Sequence, residues 1–265
     1  MRFTIKSGNN KKNTVGWTIA GVLALFLAWE AGARFAGSEI LFAGPTPTLK
    51  RLLTLAQTGR FYQALLASFV RVLLGIIISV PLGIGVGIIT GLNKRADAFF
   101  RPFFTLVSAT PVMSVILIAF LVMGAERTPI FTAFLTVFPL MAANTLEGMR
   151  SVDTRLAEVF FIYPVSRATR LRALYIPTLM PFIAGGVRAS LSLCWKVVAA
   201  AEVLVQPARA LGTGMQMAKA QLETAELFAW TLATVSAAAL SQALFTCFTF
   251  FRYDRYDRYN RKNCD

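Results

Sequence analysis

The sequence predicts an all-α, polytopic membrane protein with six transmembrane helices, and three observations carry that reading. First, 56% of its 265 residues are hydrophobic and only 15% are charged, where charged residues make up about a quarter of a typical soluble protein. Second, the apolar residues are gathered into runs of about 20, the length that crosses hydrocarbon. Third, the basic residues cluster in alternate connectors. Arg2, Lys6, Lys11 and Lys12 precede the first run, and Lys94, Arg95 and Arg101 follow the second. Arg150, Arg155, Arg167, Arg170 and Arg172 follow the fourth, and Arg252, Arg255, Arg258, Arg261 and Lys262 follow the sixth. Basic connectors stay on the cytoplasmic side, so both termini and the central connector are expected inside. The formal charge of +14 is therefore a topology signal, and no nucleic-acid partner is expected.

In chain order, residues 1–14 form a basic cytoplasmic arm and 15–251 a six-span transmembrane domain, with a cytoplasmic tail at 252–265. Span 1 covers 15–35, with Trp17 and Trp29 near its ends as an interfacial aromatic belt requires. An outside connector holds Pro45, Pro47 and an amphipathic helix from about Thr48. Span 2, 72–92, carries Gly83, Gly87 and Gly91 at four-residue spacing, a stripe that lets another helix approach closely. Span 3, 103–123, contains Pro111, where a kink is expected. Span 4 covers 130–146, span 5 182–204 and span 6 228–251. The outside connector between the last two has glycines at 212 and 214 and then a helix-favouring polar run.

Charges within the spans are costly and face protein, water or solute. Arg71 lies at the outer edge of span 2, where it can snorkel, and Glu202 near the outer end of span 5. Arg188 and Lys196 lie deeper in span 5 and, at 100° per residue, about 80° apart, so both can line one broad wet face. The candidates for a translocation pathway are Arg188, Lys196, Glu202 and the kink residue Pro111. Glu202 is too far round the helix from Lys196 to pair with it, so these charges are expected to find partners on other helices, in water or on a solute.

The longest strongly charged segment between apolar runs is 151–181. Its polar residues recur at helical spacing around a break at Tyr163-Pro164, which predicts two short amphipathic helices joined by a turn and closed by Pro177. Such a folded handle on one membrane face suits a partner protein.

Several chemistries have no residues to support them. There is no P-loop, no G-x-S-x-G and no H-E-x-x-H. Histidine is absent altogether, and Cys194, Cys247 and Cys264 have no metal-ligand spacing. No catalytic residue, metal site or cofactor is expected on this chain. The first run is not followed by a small-residue cleavage site and reads as a retained span. A proton-driven carrier needs a titratable carboxylate in its spans, and only Glu30 and Glu202 offer one, both near span ends.

The residues resemble the membrane-spanning permease subunits of bacterial ABC importers, in particular the nitrate/sulfonate/taurine-type branch. The resemblance covers about 41–251. It is strongest in ALLASFVRVLLGIIISVPLGIGVGIITGLNKRADAFFRPFFTLVSATP, in VFPLMAANTLEGMRSVD, and in the central connector with GGVRASLSLCWKVVAAAEVL. The family's cytoplasmic motif begins with an acidic residue and two alanines, has a glycine six residues after the acid, and ends at a proline. Glu158 and Pro177 match its two ends, whereas Val159 and Phe160 replace the alanines and Pro164 the glycine.

The resemblance implies a type I importer permease fold in a bacterial cytoplasmic (inner) membrane. It implies a coupling loop at about 147–177 whose contact residues would be Asp153, Leu156, Glu158, Phe160, Phe161, Pro164, Ser166 and Pro177. The implied partners are two ABC ATP-binding subunits, which would hold the ATP and magnesium, a solute-binding protein on the outer face, and a second permease copy. The implied solutes are small anions such as sulfonates, taurine or nitrate, with pyrimidine-type vitamin precursors as an alternative. Two other classes remain open from the residues alone: a stand-alone ion-coupled secondary transporter, and a structural membrane protein without flux.

Overall fold

A computed structural model describes residues 11–163 and 165–262. Among them are eleven α-helices and one π-helical turn, with no strand: α1 (Lys11–Ala36), α2 (Pro45–Ala56), α3 (Gly59–Leu92), α4 (Lys94–Ala109), α5 (Val112–Met123), α6 (Thr128–Arg150), α7 (Thr154–Ile162), α8 (Arg167–Arg170), the π turn (Leu171–Tyr175), α9 (Ile176–Val205), α10 (Leu211–Ala220) and α11 (Thr224–Lys262). Five helices are long and apolar enough to cross a membrane, or six when the bent pair α4–α5 counts as one span. The all-α, multi-span prediction agrees with this.

The centre is a three-helix slab of α3, α6 and α9. A Cβ placed on Gly75 would lie 2.8 Å from the Ala133 Cβ, one on Gly83 2.5 Å from that of Met141, and one on Gly87 2.5 Å from that of Thr145, while Gly91 abuts Met149 in the same way. The partner is offset by the same number of residues at every step, so α3 and α6 run parallel with their backbones in direct approach. Small residues make this packing possible where apolar surface by itself drives no association. On the other side of α6, Gly148 meets Phe182 and Gly186 meets Asn144, and the crossed order shows that α9 runs antiparallel. Met141, Val137, Cys194, Trp195 and Val198 fill the space between. Helix α1 lies outside this slab with no part of its span buried. It is fastened chiefly at one end, where the Trp29 indole donates to the Ala43 carbonyl at 3.0 Å and stacks near Phe228.

Three expectations need correction. Span 3 is not one kinked helix: α4 and α5 meet at 96°. Thr110 (ψ 128°) and Pro111 (ψ 127°) are both extended, because proline forces its predecessor out of the helical region and has no N–H to continue the ladder. Span 2 is longer than its apolar run. Helix α3 begins at Gly59, where the Thr58 hydroxyl caps the Phe61 amide, and its 34 residues span about 51 Å, well beyond the ~30 Å of hydrocarbon. Finally, Pro177 does not close a short helix. The second helix of the central connector runs on through it, continuous from Ala168 to Val205. The π turn absorbs the proline: the Ile176 amide bonds back to the Leu171 carbonyl, and the wide turn loosens the backbone just before the residue that lacks a donor. The expected arm at 1–14 lies largely outside the described residues, and the helix of span 1 already includes Lys11.

Candidate coupling segment and solute pathway

The candidate coupling segment is built from two caps. Asp153 accepts from the Arg155 amide at 2.8 Å and starts α7. Ser166 accepts from the Thr169 amide at 3.1 Å and starts α8. Carboxylate and hydroxyl caps satisfy orphan N–H groups at the helix starts, and they fix where each helix begins. Between the caps, no other helix packs broadly against α7 among the described residues. Leu156, Val159, Ile162 and Tyr163 are all exposed, and Leu156, Val159 and Tyr163 recur at the spacing of one helix face. Glu158 is exposed beside them, as is Ser166, and Pro177 is half-buried in α9. Phe160 and Phe161 belong to α7 by backbone, and Pro164 lies outside the described residues. The segment's base is held by an ion pair of 2.8 Å between Arg150, at the end of α6, and Asp97, in the first turn of α4.

Arg188 and Lys196 are both exposed on α9, and neither belongs to an ion pair among the described residues. Arg188 opens into a groove of about 670 Å³ between α9 and α11, lined also by Gln242, Thr246 and Cys247. An exposed cation this far along a membrane-crossing helix has to meet water, protein or an anion, since contact with lipid is costly. Pro111 is exposed at the α4–α5 corner.

Glu202, expected with Arg188 and Lys196 in the pathway, lies elsewhere, fully buried at the end of the bundle remote from α7. Of the partners left open by the helical angles, the structure shows another helix: the partner is Arg71. The Arg71 guanidinium turns inward rather than snorkelling. One nitrogen, Nη1, donates to Glu202 at 2.9 Å and to the Arg209 carbonyl at 2.8 Å. The other, Nη2, donates to Glu126 at 2.6 Å. Ser68 donates to Glu202 at 2.8 Å and receives the Leu211 amide at 3.0 Å, and the Gly212 amide reaches Glu202 at 3.2 Å. Glycine is needed at 212 because a Cβ there would fall 2.5 Å from the Glu202 Cβ. The sequence reading missed Ser68 and Glu126. The available signal was Ser68 one turn before Arg71, placing a hydroxyl and a cation on one face at the mouth of the apolar run.

With this geometry in place, the likeness to known proteins becomes specific. The family described as binding-protein-dependent transport system inner membrane component matches residues 80–262. The chain belongs to that family. It is the permease subunit of an ABC importer and a multi-pass inner-membrane protein. It is 30% identical over 217 residues, 76% of each chain, to the bicarbonate transport system permease protein CmpB of Synechococcus elongatus. It is 29% identical over 212 residues, 77% of each chain, to the taurine transport system permease protein TauC of Escherichia coli. In three dimensions it is similar to a chain in the crystal structure of a bacterial ABC transporter involved in the import of the acidic polysaccharide alginate. The TM-score is 0.59, the identity 15%, and the match covers 92% of this chain and 98% of that one; at that identity it supports the fold alone. Within the permease, the matched region contains α7, the π turn and the charged positions of α9, whereas Arg71 precedes it.

Proposed function

We propose that this permease carries a small anion, such as a sulfonate, taurine, nitrate or bicarbonate, and is driven by separate ATP-binding subunits that dock on α7. The observation that carries the docking half is α7 itself. It is a capped helix standing off the bundle with Leu156, Val159, Ile162 and Tyr163 exposed, at the position where Glu158 and Pro177 match the ends of the family's motif. An apolar helix face with flanking charges is a recognised way to enter a partner's groove. The cationic half is supported by Arg188 and Lys196, exposed and without ion-pair partners among the described residues, and by relatives named for bicarbonate and taurine. A second copy of the permease would complete the pathway, and a solute-binding protein would deliver the anion at the end remote from α7. Both termini would then be cytoplasmic, following the basic connectors.

The test is a pull-down of the tagged permease in mild detergent from cells with their native partners, with ATPase activity assayed in the eluate. A stoichiometric nucleotide-binding subunit, lost when residues 155–170 are deleted, is the expected result. Eluted permease with no ATPase would sink the docking assignment. For the solute, Arg188→Ala is expected to reduce uptake of an anion by about tenfold or more with assembly unchanged, and Arg188→Lys to retain part of it. Unchanged uptake with Arg188→Ala would remove Arg188 from the pathway.

A further inference from the structure

The two carboxylates held by Arg71 differ sharply in burial. The Glu202 side chain is 0% exposed and the Glu126 side chain 59% exposed. A buried pair with its remaining oxygens hydrogen-bonded is costly to open, because either partner would be left uncompensated away from water. The Arg71–Glu126 pair is open to water on the carboxylate side only, the guanidinium being 8% exposed, so it is weaker than the buried pair and more sensitive to salt. One guanidinium therefore carries one permanent contact and one breakable contact.

We propose that Glu126 is a releasable clasp joining the turn at 124–127 to the connector at 206–210, with the Arg71–Glu202 pair beneath it as a fixed anchor. Glu126 is placed for this by its two partners, which lie on different elements. Its Oε2 receives Arg71 from α3, and its Oε1 receives the Ala208 amide at 3.1 Å. Both clasped segments turn sharply out of their helices. Gly124 has φ +75°, and Gln206, directly after α9, has φ +47°. The rest of the connector stays attached without Glu126, through the Arg209 carbonyl on Arg71 and the Pro207 carbonyl on Thr213 at 2.8 Å. Losing Glu126 thus frees one edge of the connector and the turn that feeds α6, and leaves the anchor in place. The clasp closes the end of the permease remote from the coupling segment. Its chemistry does not depend on the solute or on the ATP-binding subunit, and only its use in transport rests on the importer reading.

Hydrogen–deuterium exchange on the full-length protein in lipid nanodiscs tests this directly, since exchange reports local opening. Glu126→Ala and Glu126→Gln are expected to raise exchange across 205–210 by about fivefold, the upper end for an ion pair with one solvent-exposed partner, with α3 and α9 unchanged and the thermal midpoint nearly unmoved. Raising salt from about 0.05 M to about 1 M should open the same segment in the unmodified protein and have little further effect in the variants. Unchanged exchange at 205–210 in a folded Glu126→Ala protein would overturn the clasp. So would a rise spread through α3 and α9, which would make Glu126 part of the anchor. Should the variants fail to fold, the salt series on the unmodified protein decides alone: no selective opening at 205–210 refutes the proposal.

Discussion

Gly87 and Thr145 touch so closely that a methyl group on the glycine would sit 2.5 Å from the Thr145 Cβ and 2.7 Å from the Ala142 carbonyl. Backbone cannot yield to that contact, so Gly87→Ala should push α3 from α6 and cost about 1–3 kcal/mol. Gly85, with nothing within 4 Å of an added Cβ, is the matched control, and Gly85→Ala should be close to neutral. Thermal unfolding of the two purified variants in detergent separates them; equal midpoints would show that the close approach is not a stability determinant.

Arg71→Ala strands the Glu202 carboxylate at 0% exposure without its cation. The expected loss is about 3–5 kcal/mol, seen as poor expression or a large fall in thermal midpoint. Replacing both residues with methionine should recover much of it, because an apolar pair has no charge left to compensate. A double variant as unstable as the single one would mean that the pair's value lies in its connections to Arg209, Ser68 and Gly212.

Glu126 supplies a pH dependence. Partial burial pulls its carboxyl upward, but the Arg71 hydrogen bond, the Ala208 amide and the nearby Arg71 and Arg209 charges outweigh that and hold it below its ordinary value. A carboxyl depressed on folding adds stability above its unfolded pKa and loses it as pH falls through the folded value. The open fraction of 205–210, taken as the exchange rate divided by the intrinsic amide rate at each pH, should therefore stay low from neutral pH to about pH 5 and rise as the pH falls below the usual carboxylate range of about 4. In Glu126→Gln that rise should be absent; its persistence would point to another titrating group.

Glu158→Lys reverses the charge on the exposed flank of α7 while leaving the Asp153 and Ser166 caps intact. Membrane insertion and yield should be unchanged, and stimulation of the partner ATPase should be lost. Normal stimulation with that variant would move the docking surface off Glu158.

Much of this architecture could be read from local chemistry. Gly83, Gly87 and Gly91 announce a close-packed face, and the break at Tyr163-Pro164 announces two short helices, because each depends on residues a few positions apart. What the sequence did not convey depended on distant partners. Pro111 and Pro177 carry the same missing N–H, yet one splits a span through 96° and the other passes inside a continuous helix. The difference lies in whether neighbouring turns can widen to take up the lost bond, as Leu171–Tyr175 do. Arg71 reads as a snorkelling side chain until Glu202, far along the chain, and the weakly marked Glu126 are brought beside it. The candidate docking segment was legible as a position, through Glu158 and Pro177, and the exposed charges Arg188 and Lys196 as residue types without their surroundings.

The uninterrupted helix from Ala168 to Val205 has a mechanical consequence. Its 38 residues extend about 57 Å at 1.5 Å per residue, with α7 beside one end and Glu202 three residues from the other. A rod of that length is a lever arm: a tilt of about 5° about its base displaces the far tip by about 5 Å. That exceeds the reach of a hydrogen bond, so with Arg71 and Glu202 carried together as one anchor, a small rocking at the α7 end would load the half-exposed Glu126 contact first.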